Sequence, residues 1–277
     1  MNKIINVAAI QSRPEKTLEA NLKKAQELLV EAAHRGSNIA VLPENFAYYK
    51  QPNLQLAGRA EAADTGPVRQ FLAAQAAHLG LWIVGGTVPV MDSSSKPFAR
   101  SLVYNPKGDC VGYYDKIHLF DAFIESETAK NNYSESDHYS HGQLIKTLPT
   151  DDCELGLSVC YDLRFAELYQ QLCQANAQVV AVPAAFTATT GRDHWELLLR
   201  ARAIENQFFV VGANLVDRHQ AGRGLWGGSA IVDPWGTVLA SLEDEVGVVV
   251  AEIDLRMIDQ VRERMPVQQH RALISTS

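Results

Sequence analysis

LGLSVCYDLRFAEL, residues 155–168, changes character at Cys160. A short apolar run of strand length stops there and a polar, helix-forming run begins, which predicts a strand-to-helix turn. Downstream the same alternation continues: helix Ala166–Ala175, strand QVVAVPAA (178–185), helix His194–Asn206 and strand FFVVGAN (208–214). Strands around VDPWGTVLA (232–240) and GVVVAEID (247–254) follow, then a helix from Leu255 to Arg264. Upstream, a strand over about Ile4–Ile10 leads into a helix whose buried face is Leu18, Leu22, Ala25, Leu29 and Ala32, with Gly36 as its C-terminal cap. Next come the strand IAVLP (39–43), a polar stretch, and a helix opened by Pro67 and closed by Gly80. LWIVGGTVPV (81–90) reads as one strand with a glycine pair near its end, and SLVYNPKGDCVGYYDK (101–116) as a hairpin turning at Asn105–Gly108. The stretch from Leu119 to Gly142 has no periodicity and reads as a long loop. Alternating strands and helices predict an α/β fold in layers, and no composition break divides residues 1–277 into more than one domain.

The chain has 277 residues, 47% of them apolar, enough for one large core. Its formal charge of −7 is spread along the sequence with no basic stripe, which argues against nucleic-acid or anionic-membrane partners. No apolar run reaches the ~18 residues of a membrane span. In MNKIINVAAIQ, Asn6 and Gln11 interrupt the apolar stretch and an amphipathic helix follows, so a first core strand is preferred over a signal peptide. Cys110, Cys153, Cys160 and Cys173 have no metal-type spacing and too low a density for a disulfide framework, as expected in a reducing cytoplasm.

Cys160 is the first candidate for chemistry, because N–H groups at a helix start favour the thiolate, the form that attacks carbon. Two other ionisable residues close apolar runs in the same way: Glu44 ends IAVLPE and Lys116 ends VGYYDK. An acid, an amine and a thiol at strand C-terminal ends read together as a hydrolytic set. Each has a plainer reading: a small buried thiol, an acid at a helix N-terminus, a charge on an edge strand.

The surrounding words carry more. LPEN (42–45), YDKIHLF (114–120), CYDLRFAEL (160–168), HWELLLRARAIENQ (194–207) and VDPWGTV (232–238), in that order, resemble the carbon–nitrogen hydrolase (nitrilase) superfamily from Val7 to about His270. The resemblance implies a four-layer α-β-β-α sandwich, no cofactor or metal, and an assembly of two or more copies. It also implies roles: Cys160 as nucleophile, Glu44 as proton shuttle, and Lys116 with the backbone N–H of Tyr161 at the developing oxyanion. A second glutamate beyond the lysine, in an E-S word, is Glu135 in YSES; Glu125-Ser126 competes for that place. After HLFD the V/I-P-G step of close relatives is replaced by AFIESETAKNN (122–132), so the cover of the site is expected to differ.

Arg164 could clamp a substrate carboxylate, or pair with Glu167 or Asp162; Tyr161, Phe186 and Thr187 are candidate pocket walls. A Cys-His pair with His118 or His194 is disfavoured, because both histidines lie in words of the family pattern. Gly222-Arg223-Gly224 lacks the strand and helix of a nucleotide-binding turn. Gly228 stands where relatives usually have His.

Within the superfamily, KIHLFD, TTGRDHWELLLRARAIENQ and VDPWGTV resemble the amidases of deaminated glutathione and the omega-amidases of 2-oxoglutaramate and 2-oxosuccinamate. PENFAYY (43–49) and PVQQHR (266–271) lean to the first, Ala166 and TTG (189–191) to the second. Both substrate types carry carboxylates. True nitrilases usually carry longer C-terminal extensions, and a non-catalytic scaffold would have no need of Glu44, Lys116 and Cys160 together.

Overall fold

The computed structural model describes residues 4–49, 53–92, 94–125, 130–218 and 224–272. In chain order the first part comprises β1 (Ile4–Gln11), α1 (Leu18–His34), β2 (Ile39–Val41), α2 (Leu54–Ala60), α3 (Pro67–Leu79), β3 (Trp82–Val84), β4 (Val88–Val90), β5 (Phe98–Tyr104) and β6 (Cys110–Asp115). A hairpin of β7 (Asp121–Glu125) and β8 (Lys130–Ser134) follows. Then come β9 (Lys146–Pro149), β10 (Glu154–Leu157), α4 (Ala166–Gln174), β11 (Val179–Ala184), α5 (Ala188–Asn206) and β12 (Phe209–Asn214). The last elements are β13 (Val216–Asp217), β14 (Leu225–Trp226), β15 (Ala230–Val232), β16 (Val238–Ser241), β17 (Gly247–Asp254), α6 (Arg256–Arg264) and α7 (Val267–His270).

Two sheets organise these elements. One runs β17-β1-β2-β3-β5-β4, with β6 on β5; the other runs β16-β15-β12-β11-β10-β9. β1 shows how they stack. Ile5, Val7 and Ala9 enter the core shared with Val180, Val182 and Val211 of the second sheet, while Ala8 and Ile10 face Leu28, Leu29 and Leu72 of α1 and α3. Side chains that alternate on a strand thus serve two interfaces, one sheet-to-sheet and one sheet-to-helix. On the far side, Leu168 and Leu172 of α4 and Leu199 and Ala203 of α5 cover the second sheet. The layers are α-β-β-α, as the sequence resemblance implied. Each fully buried Leu, Ile or Val contributes about 1.5–3 kcal/mol.

Three sequence expectations are corrected. LWIVGGTVPV forms two strands, β3 paired with β2 and β5, and β4 paired with β5 alone. Gly86 between them has φ +58°, and a Cβ there would lie 2.0 Å from the Pro43 carbonyl oxygen. This glycine lets the chain pass against the Pro43–Glu44 bend. Residues 119–142 are not one structureless loop but contain the β7–β8 hairpin and a 3₁₀ turn, Glu135–Asp137. The helix expected from His194 begins earlier, at Ala188, where the Thr187 hydroxyl accepts from the Thr190 N–H and caps it.

The loop that follows β2 is tied to α3 by Glu61. Its fully buried carboxylate accepts from Tyr48 Oη at 2.7 Å and from the first-turn N–H groups of Val68 and Arg69 at 2.8 and 3.2 Å. A carboxylate at a helix N-terminus both fills unpaired donors and complements the helix dipole.

Candidate active site

Three strand ends and one turn converge between the sheets. Glu44 follows β2, Lys116 follows β6, and Cys160 follows β10 on the opposite sheet. All three are buried, with 3%, 1% and 8% exposure. Lys116 is fixed by its backbone: its N–H donates to the Ala99 carbonyl at 3.1 Å and its carbonyl accepts from Gly142 N–H at 2.7 Å. From there Lys116 Nζ donates to Glu44 Oε1 at 2.7 Å and to Glu135 Oε2 and Oε1 at 2.8 and 3.0 Å. Glu135 opens the 3₁₀ turn after β8, and its Oε2 also accepts from Phe120 N–H at 2.6 Å. The other oxygen of Glu44 accepts from Ala185 N–H, just past β11, at 2.9 Å.

Charge decides the resting protonation states. Burial alone would lower the Lys116 pKa, but Glu135 and Glu44 outweigh it and hold the pKa well above the ordinary lysine value. Lys116 is therefore an ammonium. Burial raises the Glu135 carboxyl above the usual range, opposed by Lys116 and reinforced by Glu44. Burial also pushes the Cys160 thiol well above the ordinary cysteine value, and the nearby Glu44 carboxylate adds to this; Lys116 opposes it. The group next to Cys160 is thus a proton acceptor, placed to take the thiol proton. Cys160 also opens a 3₁₀ turn, Cys160–Arg164, rather than α4 itself, so it lacks the full set of helix-start donors.

Cys160 has φ +48°, a left-handed conformation unusual for a residue with a side chain. Over it lies a narrow cleft lined by Phe120, Tyr161, Arg164, Phe186, Thr187 and Thr190. The three candidate walls, Tyr161, Phe186 and Thr187, line it together with Arg164, the candidate carboxylate clamp. Phe120 and Thr190 were not singled out from the sequence. The ring centroids of Phe120 and Tyr161 are 5.0 Å apart, and the Arg164 guanidinium is 5.6 Å from the Tyr161 centroid and 5.3 Å from that of Phe186. Arg164 does not pair with Asp162, whose oxygens are taken by other donors; its Nη1 is 3.2 Å from His194 Nδ1. Two wider surface concavities, of about 530 and 610 Å³, lie along β6 and lack this chemistry.

The histidines of the disfavoured Cys-His pair have other partners. His118 Nδ1 is 2.7 Å from Asp162 Oδ1, and its ring stacks on Phe165 at 3.6 Å. Gly228 has φ +70°, and its carbonyl accepts from Trp195 Nε1 at 2.7 Å. A Cβ at Gly228 would lie 2.9 Å from Trp226 Nε1, so glycine there makes room for the indole. The Glu125 side chain, Ser126 and Gly222-Arg223 lie outside the described residues. Among the described residues no cluster of His, Cys, Asp and Glu could hold a metal ion, and no helix is long and apolar enough to cross a membrane.

The carbon-nitrogen hydrolase family profile matches residues 6–263. A deaminated glutathione amidase of Synechocystis is 38% identical over 271 residues, covering 96% of this chain and 98% of the relative. Omega-amidase NIT2 of Danio rerio is 34% identical over 271 residues, covering 96% and 94%. The crystal structure of the C. elegans NitFhit protein superposes with a TM-score of 0.87 at 34% identity over 97% of this chain, which spans 65% of that longer protein.

Proposed function

Because the chain belongs to the carbon-nitrogen hydrolase family, we propose that it is a cysteine-dependent amidase acting on a small, carboxylate-bearing 2-oxo acid amide. The observation that carries the reading is the buried ammonium of Lys116 shared by Glu44 and Glu135, with the buried Cys160 thiol within the influence of both the Glu44 and Lys116 charges. Deaminated glutathione is the preferred substrate. The identity to omega-amidases keeps 2-oxoglutaramate as the second reading.

An amide carbonyl resists attack, and its nitrogen leaves only when protonated. Glu44 takes the thiol proton as Cys160 Sγ bonds to the carbonyl carbon, which activates the otherwise protonated thiol. The negative oxygen so formed lies against the Lys116 ammonium and the N–H of Tyr161, whose charge and dipole need no reorganisation in a water-poor site. Glu44 returns its proton to the departing nitrogen, leaving a thioester. It then removes a proton from water, which attacks the thioester; carboxylate leaves and the thiol is restored. Glu135 keeps Lys116 charged and oriented through two contacts on one ammonium. Arg164, half-buried among Tyr161 and Phe186, is the cation for the substrate carboxylate.

The test is release of primary amine or ammonia from deaminated glutathione, 2-oxoglutaramate and a neutral amide of equal length. Turnover of the acidic amides that is abolished in Cys160→Ala supports the reading. A wild type that hydrolyses none of them refutes it, and a larger kcat/KM for 2-oxoglutaramate moves the assignment to the omega-amidase branch.

A further inference from the structure

Asp162 is fully buried two residues after Cys160, and the mechanism above leaves it unused. Its Oδ2 accepts from Val159 N–H at 2.9 Å and from Tyr114 Oη at 2.8 Å. Its Oδ1 accepts from His118 N–H at 3.0 Å and faces His118 Nδ1 at 2.7 Å. All four donors belong to the two segments that carry reactive groups. Val159 immediately precedes Cys160, and Tyr114 and His118 flank Lys116 at two residues on either side.

We propose that Asp162 is a positioning residue that holds Cys160 in its left-handed conformation and fixes it against the Lys116 segment. The proposal rests on the hydrolytic reading of the site. Around Cys160 the chain is closed twice, since Asp162 N–H also donates to the Val159 carbonyl at 3.0 Å while its side chain receives Val159 N–H. A strained residue persists only when its surroundings over-determine it, and these two bonds bracket the strained residue from both sides. On the other segment, Tyr114 Oη both donates to Asp162 and accepts from Ile117 N–H at 3.3 Å, and the His118 ring is clamped between Asp162 and Phe165. The strand end bearing the ammonium and the turn bearing the thiol come from different sheets, and this one carboxylate bridges them. A carboxylate suits the place because both of its oxygens are pure acceptors facing two donors each.

Asp162→Asn tests this. Either amide orientation sets an NH₂ against two donors, so Cys160 and Lys116 lose their common anchor. A misplacement of about 1 Å costs roughly 100-fold in rate, so kcat is expected to fall about 100-fold with KM little changed. The pH profile of Cys160 alkylation by iodoacetamide is expected to move toward that of an ordinary cysteine, as the thiol leaves Glu44. A purely structural carboxylate would lower the amount of folded protein without moving either readout. A folded Asp162→Asn protein with kcat within about threefold of wild type and an unmoved alkylation profile overturns the proposal. If Asp162→Asn does not fold, Tyr114→Phe decides, because it keeps the ring and removes one donor. About a tenfold fall in kcat supports the proposal, and an unchanged kcat overturns it. A wild type inactive on every amide would refute the proposed function instead, and the alkylation profiles would still decide the role of Asp162.

Discussion

Lys116→Met separates what the buried ammonium does for stability from what it does for chemistry. Methionine keeps an unbranched chain of similar reach but removes three contacts, at 2.7 Å to Glu44 and at 2.8 and 3.0 Å to Glu135. Two carboxylates, Glu44 buried and Glu135 partly so, are left without a cation, and breaking a buried pair in this way costs about 3–5 kcal/mol near neutral pH. In a chain of this size that lowers the unfolding temperature by roughly 10 °C. The pH dependence gives the sharper test. Glu135 is already raised by burial, and Lys116 is the main influence lowering it, so removing the lysine raises it further. A carboxyl whose folded pKa exceeds its unfolded value stabilises the fold at low pH, and that stabilisation is lost as pH rises through the folded value. The variant's deficit is therefore largest at neutral pH and shrinks on acidification toward the unfolded carboxyl value near ~4.3. In the wild type, the raised Lys116 contributes fully below the unfolded lysine value near ~10.4 and loses that contribution only as pH rises through its higher folded value. Urea unfolding of both proteins between acidic and neutral pH measures this directly. A deficit below about 1 kcal/mol at neutral pH, or one that does not shrink in acid, would refute the view that Lys116 neutralises these two charges. Activity should fall about 10²–10³-fold from the lost oxyanion donor.

Glu44→Gln should divide ionisation from catalysis. The Glu44 charge helps raise the Cys160 pKa, so its loss moves the alkylation profile to lower pH, while turnover falls about 10²–10⁴-fold for want of a base. A profile moving upward, or retained turnover, contradicts the assignment. Arg164→Met should raise KM for acidic amides about 10–100-fold, the worth of a hydrogen bond to a charged group, and leave a neutral amide unchanged. An equal effect on both substrates would make Arg164 a packing residue.

The strands that deliver Glu44 and Cys160 were legible because each is a buried apolar run that an ionisable residue follows, whereas β6, which delivers Lys116, is largely exposed and was legible as the second arm of the hairpin turning at Asn105–Gly108. The β7–β8 hairpin was not. DAFIE and KNNYS show no sustained alternation, since this two-stranded ribbon belongs to neither main sheet. LWIVGGTVPV misled in the opposite direction: its apolar pattern runs through Gly85-Gly86, and only the approach of Pro43 shows why the strand must break there. Glu135 was identified by its E-S word alone. Asp162 stood in plain view within CYDLRF, yet its partners Tyr114 and His118 lie more than forty residues away in sequence, at separations of 48 and 44. Periodicity reports local burial and cannot report such a meeting.

β1 is paired along its whole length with β17, residue Ile4 against Asp254 through Gln11 against Gly247. β1 leaves the ribosome well before β17, so its sheet stays incomplete until β17 has been made. Glu44 and Lys116 emerge long before that moment, and Cys160 emerges between them and β17. A nascent or truncated chain carries all the reactive groups without the scaffold that aligns them. Hydrolytic power should accordingly appear in one step once β17 has been made and vanish in one step on unfolding, giving a partly made chain little means to attack stray amides.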